Sequence, residues 1–354
     1  LPNGISGLAN RIEELGMKFG LWIEPEMVNK DSDLYRKHPD WILQTPGRRV
    51  SHGRYQYVLD FSRKEIVDYI YGMIAKLLSE SNISYIKWDM NRSITECYSI
   101  AYPADQQGEI FHRYILGVYD LYERLTSAFP EVLFESCASG GGRFDPGMLY
   151  YAPQGWVSDD SDAVERLKIQ YGTSMCYPLS SMGSHVSVIP NHQVFRNTPL
   201  HTRANVAYFG TFGYELDLNK LSDAEIEEVK AQIRFMKEYR ELLQFGTFYR
   251  LKSPFNGNET VWMVVSEDKS KALVGYYRVL NGVNLPYSCV KLQGLDPDKL
   301  YENELANTEH YGDELMNLGL ITTDVSAGEV PQGAEPCTDF ESRIYLLKEK
   351  QSTN

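Results

Sequence analysis

Lys87, Asp89, Asn91 and Arg92 crowd the end of a short apolar run, residues 83–88. A buried strand does not ordinarily finish in so dense a polar cluster, but the carboxyl end of a strand in an α/β barrel is where chemistry sits. A carboxylate beside a lysine is favoured in its charged form, and an ionised, oriented aspartate is a candidate nucleophile. Lys87 and Asp89 are two residues apart and share one strand face. They are expected to hold each other in register, with Asn91 donating to a substrate hydroxyl. Further along, Trp156-Val157-Ser158-Asp159-Asp160-Ser161-Asp162 repeats the pattern of a strand running into acids. Glycoside hydrolysis commonly uses such a pair of carboxylates. The plainer alternative for Asp89 is a polar residue that ties down a loop.

Crowded acids raise one another's pKa, as a general acid working near neutral pH requires. One acid suffices to cap the helix that follows, and spacing alone does not choose between Asp159 and Asp160 as proton donor. Glu24 and Glu26 flank Pro25 at another strand end. They rival the aspartates as an acid pair, although fixing a loop through hydrogen bonds is the simpler use for them. Trp22 either stacks on a sugar ring or fills the core, whereas Trp88 points to the opposite strand face and packs. Arg54 either donates two hydrogen bonds to sugar hydroxyls or is a surface arginine.

Residues 136–143 hold three consecutive glycines without Gly-Lys-Ser/Thr, which argues against a phosphate loop. Glycines let backbone approach a ligand closely, and Cys137 is placed to line that site. A papain-like role for Cys137 needs a partner histidine, and none is motif-linked. His185 reads as a structural histidine. No His/Asp/Glu set has metal-ligand spacing, so no metal and no cofactor are expected.

The segments that must position these residues alternate helix and strand. Helices are predicted over 7–16, from an N-cap at Ser62 (with Glu65 three residues later) to 79, and over 108–127, 162–176 and 222–243. Strands are predicted over 18–23, 83–88, 132–135, 155–158, 182–188 and 210–216, with a brief extended stretch at 55–59. Such alternation with short loops means parallel strands. It makes six strand-plus-helix units where a closed barrel needs eight, and the other two are expected upstream of Leu1. The predicted fold class is α/β, an incomplete (β/α)8 TIM-type barrel over residues 1–244. An antiparallel β-sandwich over 245–354 follows, because 248–251, 260–266, 271–278, 289–291 and 343–348 alternate apolar and polar residues. Residues 351–354 read as a frayed tail.

The formal net charge of -13 disfavours nucleic acid and anionic membrane as partners, since both want Lys and Arg. No run of about eighteen apolar residues exists, so no transmembrane helix is expected. Cys97, Cys137, Cys176, Cys289 and Cys337 show neither a CxxC pair nor metal spacing, and read as reduced thiols of a cytoplasmic protein.

Four segments in order resemble the family 36 glycoside hydrolases, the microbial α-galactosidases: Gly-Leu-Trp-Ile-Glu-Pro-Glu-Met-Val at 20–28, Lys-Trp-Asp-Met-Asn at 87–91, Glu-Ser-Cys-Ala-Ser-Gly-Gly-Gly-Arg at 135–143 and Ser-Asp-Asp-Ser-Asp at 158–162. The resemblance implies that Asp89 is the nucleophile and Asp159 the acid/base. It implies that Trp22, Arg54, Lys87, Asn91, Cys137 and Gly140 line the galactose subsite. It further implies a retaining double displacement, for which the carboxyl groups stand roughly 5 Å apart, against about 6.5 Å or more for inversion. Melibiose, raffinose and stachyose are the substrates it implies, and a dimer or tetramer is expected of the full-length protein. Two departures stand out. The family opens with a β-sandwich domain and two barrel strands, the second carrying an Asp pair that binds the sugar, and all of this would precede Leu1. Members also often show Ser-Asp-Asn where this chain has Ser158-Asp159-Asp160, a second carboxylate that would raise the pKa of Asp159. On its own the chain is expected to be weak or inactive. A raffinose-synthase-like galactosyltransferase, an α-N-acetylgalactosaminidase and a fragment that only binds sugar are the alternatives.

Overall fold

Apolar side chains at helical and strand spacing alternate through the first part of the chain, and most runs fold as that spacing requires. The computed structural model describes residues 2–283, 288–322 and 338–351. They divide into two compact units, 1–159 and 160–354. Cys337 and the end of the predicted tail, 352–354, lie outside the described residues.

The first unit runs α1 (Gly4–Glu14), β1 (Gly20–Ile23), β2 (Met27–Asn29), α2 (Asp33–Lys37), β3 (Gln56–Val58), α3 (Lys64–Glu80), β4 (Tyr85–Trp88), α4 (Ile110–Ala128), β5 (Leu133–Ser136), α5 (Pro146–Tyr151) and β6 (Gln154–Gly155). Strands β1, β4, β5 and β6 form one parallel sheet in that order. The core packs α3 and α4 against it through Ile66, Ile70, Ile74, Val118, Leu121 and Leu125, which meet Ile86, Trp88 and Phe134. Each such side chain contributes roughly 1.5–3 kcal/mol by leaving water. Parallel pairing sets Trp22 opposite Lys87 and Lys87 opposite Glu135, so three strand ends present their side chains in one row.

Two local expectations change. Residues 55–59 do contain a strand, β3, but it pairs antiparallel with β2 as a side ribbon. Ser62 does not cap α3. The helix starts one residue later than that motif implies, with Arg63 at the cap position and no side-chain cap bond, and the Ser62 hydroxyl donates instead to the buried carboxylate of Asp60.

The second unit continues with α6 (Ala163–Thr173), β7 (Gly183–Ser187), α7 (Leu200–Ala207), β8 (Thr211–Glu215) and α8 (Asp223–Phe245). Strands β7 and β8 pair in parallel, which brings the parallel strands among the described residues to the predicted six. Asp162 caps α6, accepting from the N–H groups of Val164 at 3.0 Å and Glu165 at 3.1 Å, and pairs with Arg196. A full capping box joins Ser222 and Glu225 at the start of α8.

An antiparallel domain follows: β9 (Thr247–Lys252), β10 (Glu259–Val265), β11 (Lys271–Arg278), β12 (Cys289–Val290), β13 (Leu300–Asn303), β14 (Thr308–Tyr311), α9 (Gly312–Asn317), β15 (Leu320–Ile321) and β16 (Glu341–Glu349). The main sheet is ordered β14-β13-β16-β11-β10-β9, with β12 and β15 paired separately. Val261, Met263, Val274 and Leu347 meet Val290, Leu292, Leu315 and Leu320 in its core. The β13–β14 hairpin and α9 are additions to the predicted strands. No helix among the described residues is long and apolar enough to cross a membrane.

Candidate active site

The row of strand ends gathers carboxylates that differ in how they are held. Asp89 follows β4 and is 5% exposed. Its backbone N–H donates to the carbonyl of Ile23 at 2.9 Å, which locks it beside β1. Its Oδ1 accepts from the Met90 N–H at 2.8 Å. Its Oδ2 accepts from the Trp22 indole at 3.2 Å and the Asn91 amide at 2.5 Å. The Cys137 thiol also hydrogen-bonds this carboxylate. Burial and then the charge of Asp89 push that thiol up to about 12, so Cys137 is a neutral donor and no thiolate nucleophile.

Glu24 collects the neighbouring donors. It accepts from Asn91 at 2.6 Å and Arg54 at 3.0 Å on Oε1, and from Gln56 at 3.0 Å on Oε2. The same Asn91 amide therefore bridges Glu24 and Asp89. Trp22 is 45% exposed; it is no core residue, and its ring faces solvent beside the carboxylate.

Glu26 is fully buried and accepts both Arg143 nitrogens, at 2.9 and 2.7 Å, together with the Trp88 indole at 2.7 Å and the Tyr114 hydroxyl at 2.6 Å. Burial opposes its ionisation, but the Arg143 charge and these hydrogen bonds outweigh burial and hold it below the ordinary glutamate range. The pair fastens the β1–β2 connection to the glycine loop. Trp88 stacks on Tyr122 with centroids 4.1 Å apart, the packing role expected of it.

Lys87 does not pair with Asp89. Its ammonium lies 2.9 Å from Glu135 Oε1 and 4.4 Å from the centroid of the Trp156 ring. The reason is register: the Lys87 side chain leaves β4 toward its β5 partner, whereas Asp89 lies beyond the strand and turns toward β1. Glu135 is buried and also accepts from Tyr85 and, at 2.5 Å, from Gln154. The Trp156 indole N–H donates to Asp159 Oδ1 at 3.1 Å. Asp159 is exposed.

The glycine loop fits against the segment that carries Asp159. A Cβ on Gly140 (φ +81°) would stand 2.7 Å from the Asp159 nitrogen, and one on Gly141 would stand 2.3 Å from the Val157 carbonyl oxygen. These glycines permit backbone to approach backbone. Among the described residues no group of His, Cys, Asp and Glu is disposed to hold a metal.

The melibiase family profile matches residues 1–246, and the glycosyl hydrolase family 36 C-terminal domain matches residues 259–347. The chain belongs to glycoside hydrolase family 36. The α-galactosidase AgaA of Geobacillus stearothermophilus is 57% identical over 99% of this chain and 46% of its own length. The α-galactosidase Mel36A of Lactobacillus acidophilus is 51% identical over 98% of this chain and 46% of its own. The crystal structure of AgaA matches with a TM-score of 0.94 at 53% identity, covering 99% of this chain and 47% of that one. Variants of AgaA have been crystallised in complex with raffinose and with stachyose. The chain spans about half the length of the curated relatives it matches. Its fold class is that of these family 36 structures, a TIM-type barrel with a C-terminal β domain.

Within this family 36 chain the first unit brings together Trp22, Arg54, Lys87, Asp89, Asn91, Cys137, Gly140 and Asp159. Two residues that hold the cluster have no assigned role from sequence: Glu135, opposite Lys87, and Trp156, between Lys87 and Asp159. Glu135 lies within a quoted motif, but only strand pairing reveals its partner. Asp162 is settled as a helix cap.

Two substitutions test this scaffold. Gly141→Ala forces backbone apart and is expected to cost about 1–3 kcal/mol, read as a lowered midpoint in urea. Arg143→Met leaves Glu26 buried without its cation and is expected to cost about 3–5 kcal/mol near neutral pH. The lowered pKa of Glu26 stabilises the fold above the ordinary value of 4.5, and that contribution is lost as pH falls below it toward the folded value. The gap between parent and Arg143→Met is therefore expected to narrow under acid, measured by urea unfolding across pH.

Proposed function

We propose that this chain carries the reacting groups of a retaining α-galactosidase that acts on melibiose, raffinose and stachyose. Asp89 attacks C1 of the terminal galactosyl residue while Asp159 gives its proton to the leaving oxygen. Asp159 then takes a proton from water, which hydrolyses the galactosyl ester. Lys87, Asn91, Arg54, Cys137 and the backbone at Gly140 hold the sugar hydroxyls, and Trp22 offers its exposed ring to the sugar. One observation carries this reading: the Asp89 carboxylate is fixed on both oxygens beside an exposed indole, in a chain 57% identical to an enzyme named α-galactosidase. In the same proposal the barrel portion ends near residue 244, the whole protein is a homo-oligomer and its address is cytoplasmic. The four described cysteines, all free thiols, support that address.

The test places this chain in the Geobacillus enzyme in exchange for the segment it matches. In that chimera Asp89→Ala is expected to lose at least about 10⁴-fold in turnover, and azide to restore product as the galactosyl azide of inverted configuration. A near-normal rate would remove Asp89 from the role. Asp159→Ala is expected to slow melibiose by about 10²–10⁴-fold and 4-nitrophenyl α-galactoside far less. Equal loss on both substrates speaks for Asp160 or another donor.

A further inference from the structure

Glu135 is a buried carboxylate that no step above uses. It lies at the head of a relay within the first unit. Its Oε2 accepts from Tyr85 and Gln154, so its position is set by neutral donors. Its Oε1 stands 2.9 Å from the Lys87 ammonium and has no hydrogen-bond partner among the described residues. The ammonium covers the Trp156 ring, 4.4 Å from its centroid. The indole N–H on that ring donates to Asp159 at 3.1 Å. A cation over an indole is held by the ring quadrupole and draws electron density toward itself, which strengthens the N–H as a donor.

We infer that Glu135 is a positioning residue that tunes the acid/base aspartate through Lys87 and Trp156. The inference rests on the proposed role of Asp159. The titratable groups along the relay, and beside it in the chain, include Tyr85, Lys87, Asp89, Glu135, Cys137, Asp159 and Asp160. Glu135 offsets the Lys87 charge. Without that offset the site becomes more positive, and an acid nearby gives up its proton at lower pH. Trp156 acts in the opposite sense, because a donor to the charged carboxylate favours ionisation, and its loss raises the pKa.

The two ends of the relay therefore shift the pH profile in opposite directions. The basic limb of kcat/KM reports the acid of the free enzyme. In the chimera, Glu135→Gln keeps the shape and is expected to move that limb down by about half a unit or more. Its kcat is expected to fall about tenfold on melibiose and less than about threefold on 4-nitrophenyl α-galactoside. Glu135→Asp, which keeps the charge, is expected to return the limb toward the parent position. Trp156→Phe keeps the ring under the ammonium but deletes the N–H, and is expected to move the limb up. Equal loss on both substrates with an unmoved limb in Glu135→Gln makes Glu135 a structural residue and overturns the inference. If Glu135→Gln no longer binds galactose, the direction shown by Trp156→Phe decides, and a limb that stays put or moves down overturns it. Asp159→Ala reports separately: if it fails as an acid/base variant, the underlying reading falls, whereas normal behaviour of Asp159→Ala with a still limb in Glu135→Gln rejects the relay alone.

Discussion

Parallel strand register is the constraint on which the site depends. In β1, β4 and β5 the register sets Trp22, Lys87 and Glu135 side by side. Side chains of a strand alternate between faces, so this row shares one side while Trp88 and Ile86 go into the core. A one-residue slip would exchange those two sets and bury the lysine under α4. Burial of Ile86, Trp88 and Phe134 against the helices therefore fixes the chemistry as firmly as it fixes the fold.

Several acidic groups then share a small volume without collapsing into one another, because each has its own class of partner. Glu26 is neutralised by a bidentate arginine deep in the unit. Glu135 is set against Lys87. Glu24 spreads its charge over Arg54, Gln56 and Asn91. A buried carboxylate that kept neither cation nor donors would take up a proton instead. Glu24, Glu26 and Glu135 are thus held by cations together with neutral donors, whereas Asp89 and Asp159 accept hydrogen bonds from neutral donors.

The barrel strands were legible in the sequence because each is a brief apolar run bounded by polar residues, and their ends were legible because acids cluster there. The antiparallel strands β10 and β11 were legible for a similar reason, their β-branched and aromatic content. The β13–β14 hairpin was not: Leu-Tyr-Glu-Asn is half polar, Thr-Glu-His-Tyr is polar at three of its four positions, and each is only four residues long. Ser62 misled because α3 begins one residue later than the motif implies, with Arg63 at the cap position, and the hydroxyl turns to Asp60. The Lys87 partner was out of reach in principle. Periodicity tells which face a residue takes, but not which residue of a strand far along the chain stands opposite it. Glu135 and Trp156 became meaningful only once β5 was laid beside β4.

Three tryptophans give the arrangement a common chemical logic. Trp22 donates its N–H to Asp89, Trp88 to Glu26 and Trp156 to Asp159. An indole N–H is a donor that carries no charge and cannot accept a proton. It orients a carboxylate without cancelling it. At Glu26 the cancelling is left to Arg143, as befits a residue whose task is to hold the β1–β2 connection. At Asp89 the donors are an indole, an amide, a peptide N–H and a thiol, all neutral. Those neutral donors fix the carboxylate beside Trp22. In the proposed reaction positive charge develops on the sugar in an oxocarbenium-like transition state, and a carboxylate fixed there in advance would stabilise that charge without reorganising at the moment of reaction. A lysine or arginine in place of Trp22 would hold Asp89 as well and oppose the same charge, so the neutral donor is the one that serves both geometry and electrostatics.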